Sequence, residues 1–194
     1  MDEGRSIVIS KTLSRILRHN PALSVEIDDT GYARLADVVA YMKTVRPFSE
    51  TGLDVVEVLD TVKGDVKQRF QIDGEMIRAL SGHSFPVDTG GEPFDPDGPL
   101  YFGTTQASRK ILHEGLLNSK KLKVRLSYSY QEAFGIASSR PAGDPLVIEV
   151  DAMRLAQDGW SFELLSNGEI LTNPIGPEYL SEARDPKVVP LRRP

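Results

Sequence analysis

The chain is 194 residues long, and its 40% hydrophobic and 26% charged residues are the balance of a globular protein with one domain or two small ones. It has no cysteine, which excludes disulfides, thiolate metal sites and thiol nucleophiles, and its three histidines (His19, His83 and His113) are too few for a histidine-rich zinc site. A net charge of −5 argues against coating nucleic acid by bulk electrostatics; with no long apolar run and no signal-peptide core, a cytoplasmic protein is expected.

In chain order, Ile9, Leu13, Ile16 and Leu17 recur at the spacing of one helix face, while Lys11, Arg15 and Arg18 gather on the other. The stretch ILRHNP closes this helix, because Asn20-Pro21 is a strong stop. Arg18 and His19 fall in its last turn, where partial negative charge favours cations. On these residues alone, Arg18-His19 is either a charge-complementary helix end or half of a phosphate-handling site. SVEIDDTGYARL predicts a strand, a turn at Asp29-Thr30-Gly31 and a short second strand. ADVVAYMKTV and GLDVVEVLDTV have helical spacing, and KQRFQIDGEMIRAL predicts a hairpin turning at Asp73-Gly74. Helices followed by a terminal hairpin suggest a winged-helix-like α+β lobe over residues 1–84.

FPVDTGGEPFDPDGP, residues 85–99, combines prolines, adjacent Gly90-Gly91 and scattered carboxylates, and defeats any periodic pattern. It is expected to link two lobes. Beyond it, PLYFGTT, KVRLSY, PLVIEVDA, SFELLS and EILTN read as strands, with Asn167-Gly168 turning the last pair. SRKILHEGLL and SYQEAFGIASS read as helices. Many short strands with few helices imply a split-sheet α+β lobe over residues 100–194. No Gly-rich dinucleotide fingerprint and no P-loop is present. Between Thr105 and Arg140, seven basic residues (Arg109, Lys110, Lys120, Lys121, Lys123, Arg125 and Arg140) face two acidic ones, Glu114 and Glu132. That strip could grip a phosphate backbone, or it could be a solvated charged surface.

LSRILRHNP, KQRFQI, IRALSGHS, YFGTTQASRKILHEGL, VRLS, PLVIEVDA, DGWSFELLSNGEILT and PEYL together carry a resemblance. In order and spacing they resemble the RNA 2′-phosphotransferase family (KptA type), over nearly the whole chain from Ser10 to Leu180. The resemblance implies a winged-helix lobe joined to an ADP-ribosyltransferase-like lobe. It also implies a reaction that removes an internal RNA 2′-phosphate with NAD as acceptor. In that chemistry the phosphate attacks C1″ of the nicotinamide riboside and expels nicotinamide. The ribose O2″ then attacks phosphorus, releasing 2′-hydroxyl RNA and ADP-ribose 1″,2″-cyclic phosphate. Guanidinium forks are suited to such crowded negative charge, so no metal is expected.

By resemblance, the essential quartet falls on Arg18, His19, Arg69 and Arg140, in a cleft between the lobes. His19 is implied to donate to the departing RNA oxygen or to orient O2″. The nucleotide pocket is implied at Phe102, Gly103, Thr104, Arg125, Ser127 and Glu169. RNA contacts are implied at His83 and Ser84 of the GHS motif, with Lys11, Arg15, Lys120, Lys121 and Lys123 along the strand; His83 could equally be a buried histidine bonded to a backbone carbonyl. The implied partners are NAD and a tRNA-like RNA with an internal 2′-phosphate, and the implied state is a monomer. Three residues depart from the family. Phe102 and Arg125 stand where it has histidines, and Glu169 stands where it has an apolar residue. A glutamate there resembles the one in broader ADP-ribosyltransferases. Three readings therefore stand side by side: a 2′-phosphotransferase with a remodelled pocket, an ADP-ribosyltransferase acting on another acceptor, and a non-catalytic RNA-binding descendant.

Overall fold

The computed structural model describes residues 2–19, 25–117, 122–141 and 143–185. The chain divides into two compact units, Met1–Gly90 and Gly91–Pro194. It is a mixed α/β protein built on small antiparallel sheets. Among the described residues no helix is long and apolar enough to cross a membrane.

In the first unit, α1 (Glu3–His19) buries Ile9, Ser10, Leu13, Ile16 and Leu17, the face that the apolar spacing marks out. They pack with Val38 and Met42 of α2 (Leu35–Thr44), Phe48 of α3 (Phe48–Thr51) and Val58 of α4 (Val55–Lys63). Each fully buried Leu or Ile contributes about 2 kcal/mol. Helix α4 starts on a capping box: Asp54 accepts from Val56 N at 3.0 Å, and Glu57 accepts from Asp54 N at 2.9 Å. Glu57 also takes Arg5 Nη2 at 2.9 Å, while the same guanidinium donates to the Gly52 carbonyl, so a cap and an interhelix clamp share one carboxylate.

A three-stranded antiparallel sheet completes this unit, in the order β1-β3-β2, from β1 (Tyr32–Arg34), β2 (Phe70–Asp73) and β3 (Met76–Ala79). The hairpin pairs Asp73 with Met76, and Gly74 turns it with a left-handed φ of 56°. The strand expected before the Asp29-Thr30-Gly31 turn does not form among residues 25–28. The Asp28 carboxylate instead accepts from Thr30 N, Thr30 Oγ1 and Tyr32 N at 2.9, 2.7 and 2.9 Å, which closes a local turn in place of a ladder.

The second unit holds two sheets, both antiparallel. One runs β10-β7-β5, from β5 (Leu100–Thr105), β7 (Pro145–Val150) and β10 (Leu180–Glu182). The other runs β4-β8-β9-β6, from β4 (Glu92–Pro93), β6 (Val124–Leu126), β8 (Phe162–Leu164) and β9 (Ile170–Thr172). A bridge between Tyr101 and Ser127 joins them through two backbone bonds of 2.9 and 2.8 Å. Leu100, Leu126, Val150, Leu155, Phe162 and Ile170 form the core. Strand β4 lies inside the stretch read from sequence as a linker, paired with β8 through Glu92↔Leu164 and Pro93↔Glu163. The helix read over 108–117 is reduced to a 3-10 turn, Gln106–Ser108, and the single turn α5 (Ile111–Glu114), because Gly115 at φ 78° closes it against the carbonyl of Ile111.

Helix α6 (Tyr130–Ser138), capped by Ser129 Oγ on Glu132 N at 3.3 Å, lies against β5 and β7. Gly103 makes that approach possible: a Cβ there would stand 2.0 Å from the Ala133 carbonyl oxygen. Backbone meets backbone at this point, so no rotamer relieves the clash. Gly103→Ala should therefore lower unfolding free energy by about 2 kcal/mol or more in urea titrations, whereas the open position Gly168→Asn, in a turn Asn tolerates, should cost far less.

Candidate functional site

Helix α1 ends with cations, and the loop after β3 wraps around them. Ser84 N donates to the Arg18 carbonyl at 2.9 Å, and Ser84 Oγ lies 3.2 Å from the same oxygen. His19 Nδ1 stands 3.1 Å from Ser84 Oγ. The loop reaches this position through Gly82, whose φ of 85° is left-handed and whose absent Cβ leaves Arg18 Cδ, Nε and Cζ lying 3.5–3.6 Å from that point. The Arg18 guanidinium is thus laid on backbone, with Nε and Nη2 shielded from solvent, while His19 is exposed.

His83 is only 7% exposed, with Nε2 making no hydrogen bond and its ring edge-on to Phe85 at 5.6 Å. Burial, then the charges of Arg18, Arg78 and His19, push it down to about 4. It is neutral at pH 7 and packs beside Gly31, whose Cβ position lies 3.5 Å from Nε2. The ring is thus buried, and among the described residues its Nε2 has no hydrogen-bond partner.

Arg69 directly precedes β2, where the sequence had placed it on the strand itself, and its carbonyl accepts from Leu80 N at 2.9 Å. Its guanidinium is held by Asp65: Nε reaches both carboxylate oxygens at 3.1 and 3.0 Å, and Nη2 reaches Oδ1 at 2.8 Å. The same carboxylate accepts Arg69 N at 2.7 Å. Burial alone would raise the Asp65 carboxyl, whose side chain is 5% exposed, but the Arg69 hydrogen bonds outweigh it and hold it below the ordinary range. Sequence reasoning missed Asp65, although its i, i+4 spacing to Arg69 was the available signal. It also missed Arg78, which stacks on Tyr32 at 4.6 Å and donates to Gln71 Oε1 at 2.9 Å and to the Thr30 carbonyl at 3.2 Å. Lys11 and Arg15 lie exposed on α1.

The second unit gathers the other predicted residues. Arg140, just past α6, donates Nη2 to the Gly103 carbonyl at 3.0 Å. Burial and then the nearby charge of Arg125 lower its pKa. Arg125, on β6, donates to Glu169 Oε1 at 2.9 Å, so two of the three positions that depart from the family pattern are each other's partners. Thr104 and Ser127 are buried, and Phe102 packs against the core cluster. Lys123 pairs with Glu163 at 3.2 Å. Lys120 and Lys121 lie outside the described residues.

Because His83 is held neutral, its linkage to stability has a definite sign. The unfolded chain takes up a proton near pH 6.5 that the folded chain refuses until about pH 4. The contribution of neutral His83 is complete above pH 6.5 and is lost as pH falls toward 4, with a slope of at most ~1.4 kcal/mol per pH unit. Urea titrations from pH 7 to 4.5 should show that loss in wild type and a shallower one in His83→Gln.

Residues 4–174 match the model of a family described as RNA 2′-phosphotransferase, Tpt1 / KptA family. A probable RNA 2′-phosphotransferase of Agrobacterium fabrum is 36% identical over 185 residues, 93% of this chain and 96% of its own. Proteins of the same description from Thermoplasma acidophilum and Pyrococcus furiosus are 32% and 33% identical, over 97% and 93% of this chain and 80% and 97% of theirs.

Proposed function

This chain belongs to the RNA 2′-phosphotransferase family, and we propose that it transfers an internal RNA 2′-phosphate to NAD, giving 2′-hydroxyl RNA, nicotinamide and ADP-ribose 1″,2″-cyclic phosphate. The observation that carries this reading is the concentration of positive charge at the end of α1. Around the buried His83, whose protonation burial depresses first, the charges of Arg18, Arg78 and His19 depress it further. A site that holds cations together before any ligand arrives is matched to an anion with several oxygens. Arg18, His19 and Arg69 of the first unit, and Arg140 of the second, are assigned to the 2′-phosphate. In this reading the first unit is a winged-helix RNA lobe and the second an ADP-ribosyltransferase-like lobe, in a cytoplasmic monomer acting on a tRNA-like RNA.

The second unit suits a dinucleotide in its donor set. Burial, and then the nearby charge of Arg125, lower the Arg140 pKa, a cost a pyrophosphate would relieve. Thr104 and Ser127 offer hydroxyls, and Glu169 offers a carboxylate already oriented by Arg125. When bound, NAD supplies an electrophilic ribose carbon with nicotinamide as leaving group. Phe102 adds apolar packing and no hydrogen bond.

A second reading, ADP-ribosyl transfer to another acceptor, is favoured by one feature, the half-buried Arg125–Glu169 pair. Incubation with NAD and a 2′-phosphorylated oligonucleotide separates the two. The proposed function expects 2′-hydroxyl RNA and the cyclic phosphate; accumulation of ADP-ribosylated product without them supports the second reading; no reaction overturns both. Arg18→Ala, Arg69→Ala and Arg140→Ala should each cut turnover by about tenfold or more, roughly 1.4 kcal/mol of transition-state stabilisation, with unchanged melting. Glu169→Gln should reduce turnover less than any of these. A larger loss of nicotinamide release in Glu169→Gln would shift the assignment to the second reading.

A further inference from the structure

Ser84 has one hydroxyl proton and two neighbours at the end of α1. Its Oγ lies 3.2 Å from the Arg18 carbonyl oxygen and 3.1 Å from His19 Nδ1. The carbonyl can only accept. If the hydroxyl turned its proton toward His19, lone pairs on Oγ and on the carbonyl would face each other at 3.2 Å. Turned toward the carbonyl, the hydroxyl completes one bond and presents an Oγ lone pair to Nδ1, and the imidazole must then supply the proton for the second bond. Ser84 does not drift out of this position, because its own N–H is anchored on the same carbonyl at 2.9 Å. The left-handed Gly82 two residues earlier sets the path of the loop.

We propose that Ser84 is a positioning residue for His19: it holds the neutral imidazole in the Nδ1–H tautomer, leaving Nε2 as the nitrogen that takes up and returns the proton during phosphate transfer. The proposal rests on the functional reading above for the role of His19, and it moves Ser84 from phosphate contact to orientation. In the phosphoryl step, Nε2 takes the proton of the attacking ribose hydroxyl as the new P–O bond forms. The resulting imidazolium keeps its Nδ1–H on Ser84. It then gives the Nε2 proton to the RNA 2′ oxygen as the old P–O bond breaks, so His19 ends as it began.

Two readouts on the full-length protein test this. Long-range ¹H–¹⁵N correlations of the His19 ring, recorded where it is neutral and assigned with His19→Gln, should show Nδ1–H in wild type and in Ser84→Thr, which keeps a hydroxyl. In Ser84→Ala the proton should redistribute toward Nε2. On a 2′-phosphorylated oligonucleotide with NAD, Ser84→Ala should lower kcat by about tenfold with KM within about twofold, and Ser84→Thr should recover most of the loss. A phosphate-binding serine would move KM instead. An Nε2–H tautomer in active wild type overturns the proposal, and so does a shifted tautomer in Ser84→Ala with unchanged kcat. An inactive wild type with His19 in the Nδ1–H form overturns the functional reading and leaves the Ser84–His19 relation standing.

Discussion

Holding like charges together in the absence of a ligand is the constraint on which the first unit turns. Burial first, and then the charges of Arg18, Arg78 and His19, keep the His83 imidazole neutral. Each of the arginines Arg18, Arg78 and Arg69 lies against neighbouring groups of the same unit. Arg18 lies on the backbone at Gly82. Arg78 is set by the Thr30 carbonyl, the Gln71 amide oxygen and the Tyr32 ring. Arg69 is fixed by Asp65 through its guanidinium and its own N–H. Arg69 spends part of its charge on the Asp65 carboxylate, whereas the hydrogen bonds of Arg78 go to neutral oxygens and its charge also helps lower the Asp28 pKa.

The fold serves that constraint through a few local choices. Helix α1 delivers Arg18 and His19 at a terminus that already favours positive charge. The β2–β3 hairpin sets Arg69 opposite Leu80, and four residues later Ser84 is tied to the helix end. Secondary structure thus brings together three segments that are far apart in sequence. The second unit uses the same device once more, with the Gly103 carbonyl taking Arg140 while Gly103 itself lets α6 settle on β5.

What could be read beforehand follows from how local each signal was. The α1 face, the β2–β3 hairpin and the Asn167-Gly168 turn rest on periodicities or dipeptides within a few residues, and they appear as expected. No strand forms among residues 25–28, because a single side chain, Asp28, offers the backbone a better local partner than a ladder. Strand β4 was invisible in a proline- and glycine-rich run, because its two residues form a strand only by pairing with β8, some 70 positions on. Motifs named Arg18, His19, Arg69 and Arg140, but spacing along the chain could not show that Ser84 faces His19 or that Asp65 grips Arg69 through three of its atoms.

The departures from the family pattern make the same point from the other side. Where the resemblance implies an imidazole, Arg125 has a fixed cation, and where it implies an apolar residue, Glu169 has a charge; either charge unpaired would be costly in a partly buried place. Arg125 on β6 and Glu169 in the turn just before β9 pair at 2.9 Å. Each half-buried charge therefore meets a counterion 44 residues away in sequence. Phe102 fits the same logic, since it exchanges a polar contact for packing against the core and so asks nothing of that pair. The pair thus lies beside Arg140, whose pKa is lowered by burial and then by the charge of Arg125.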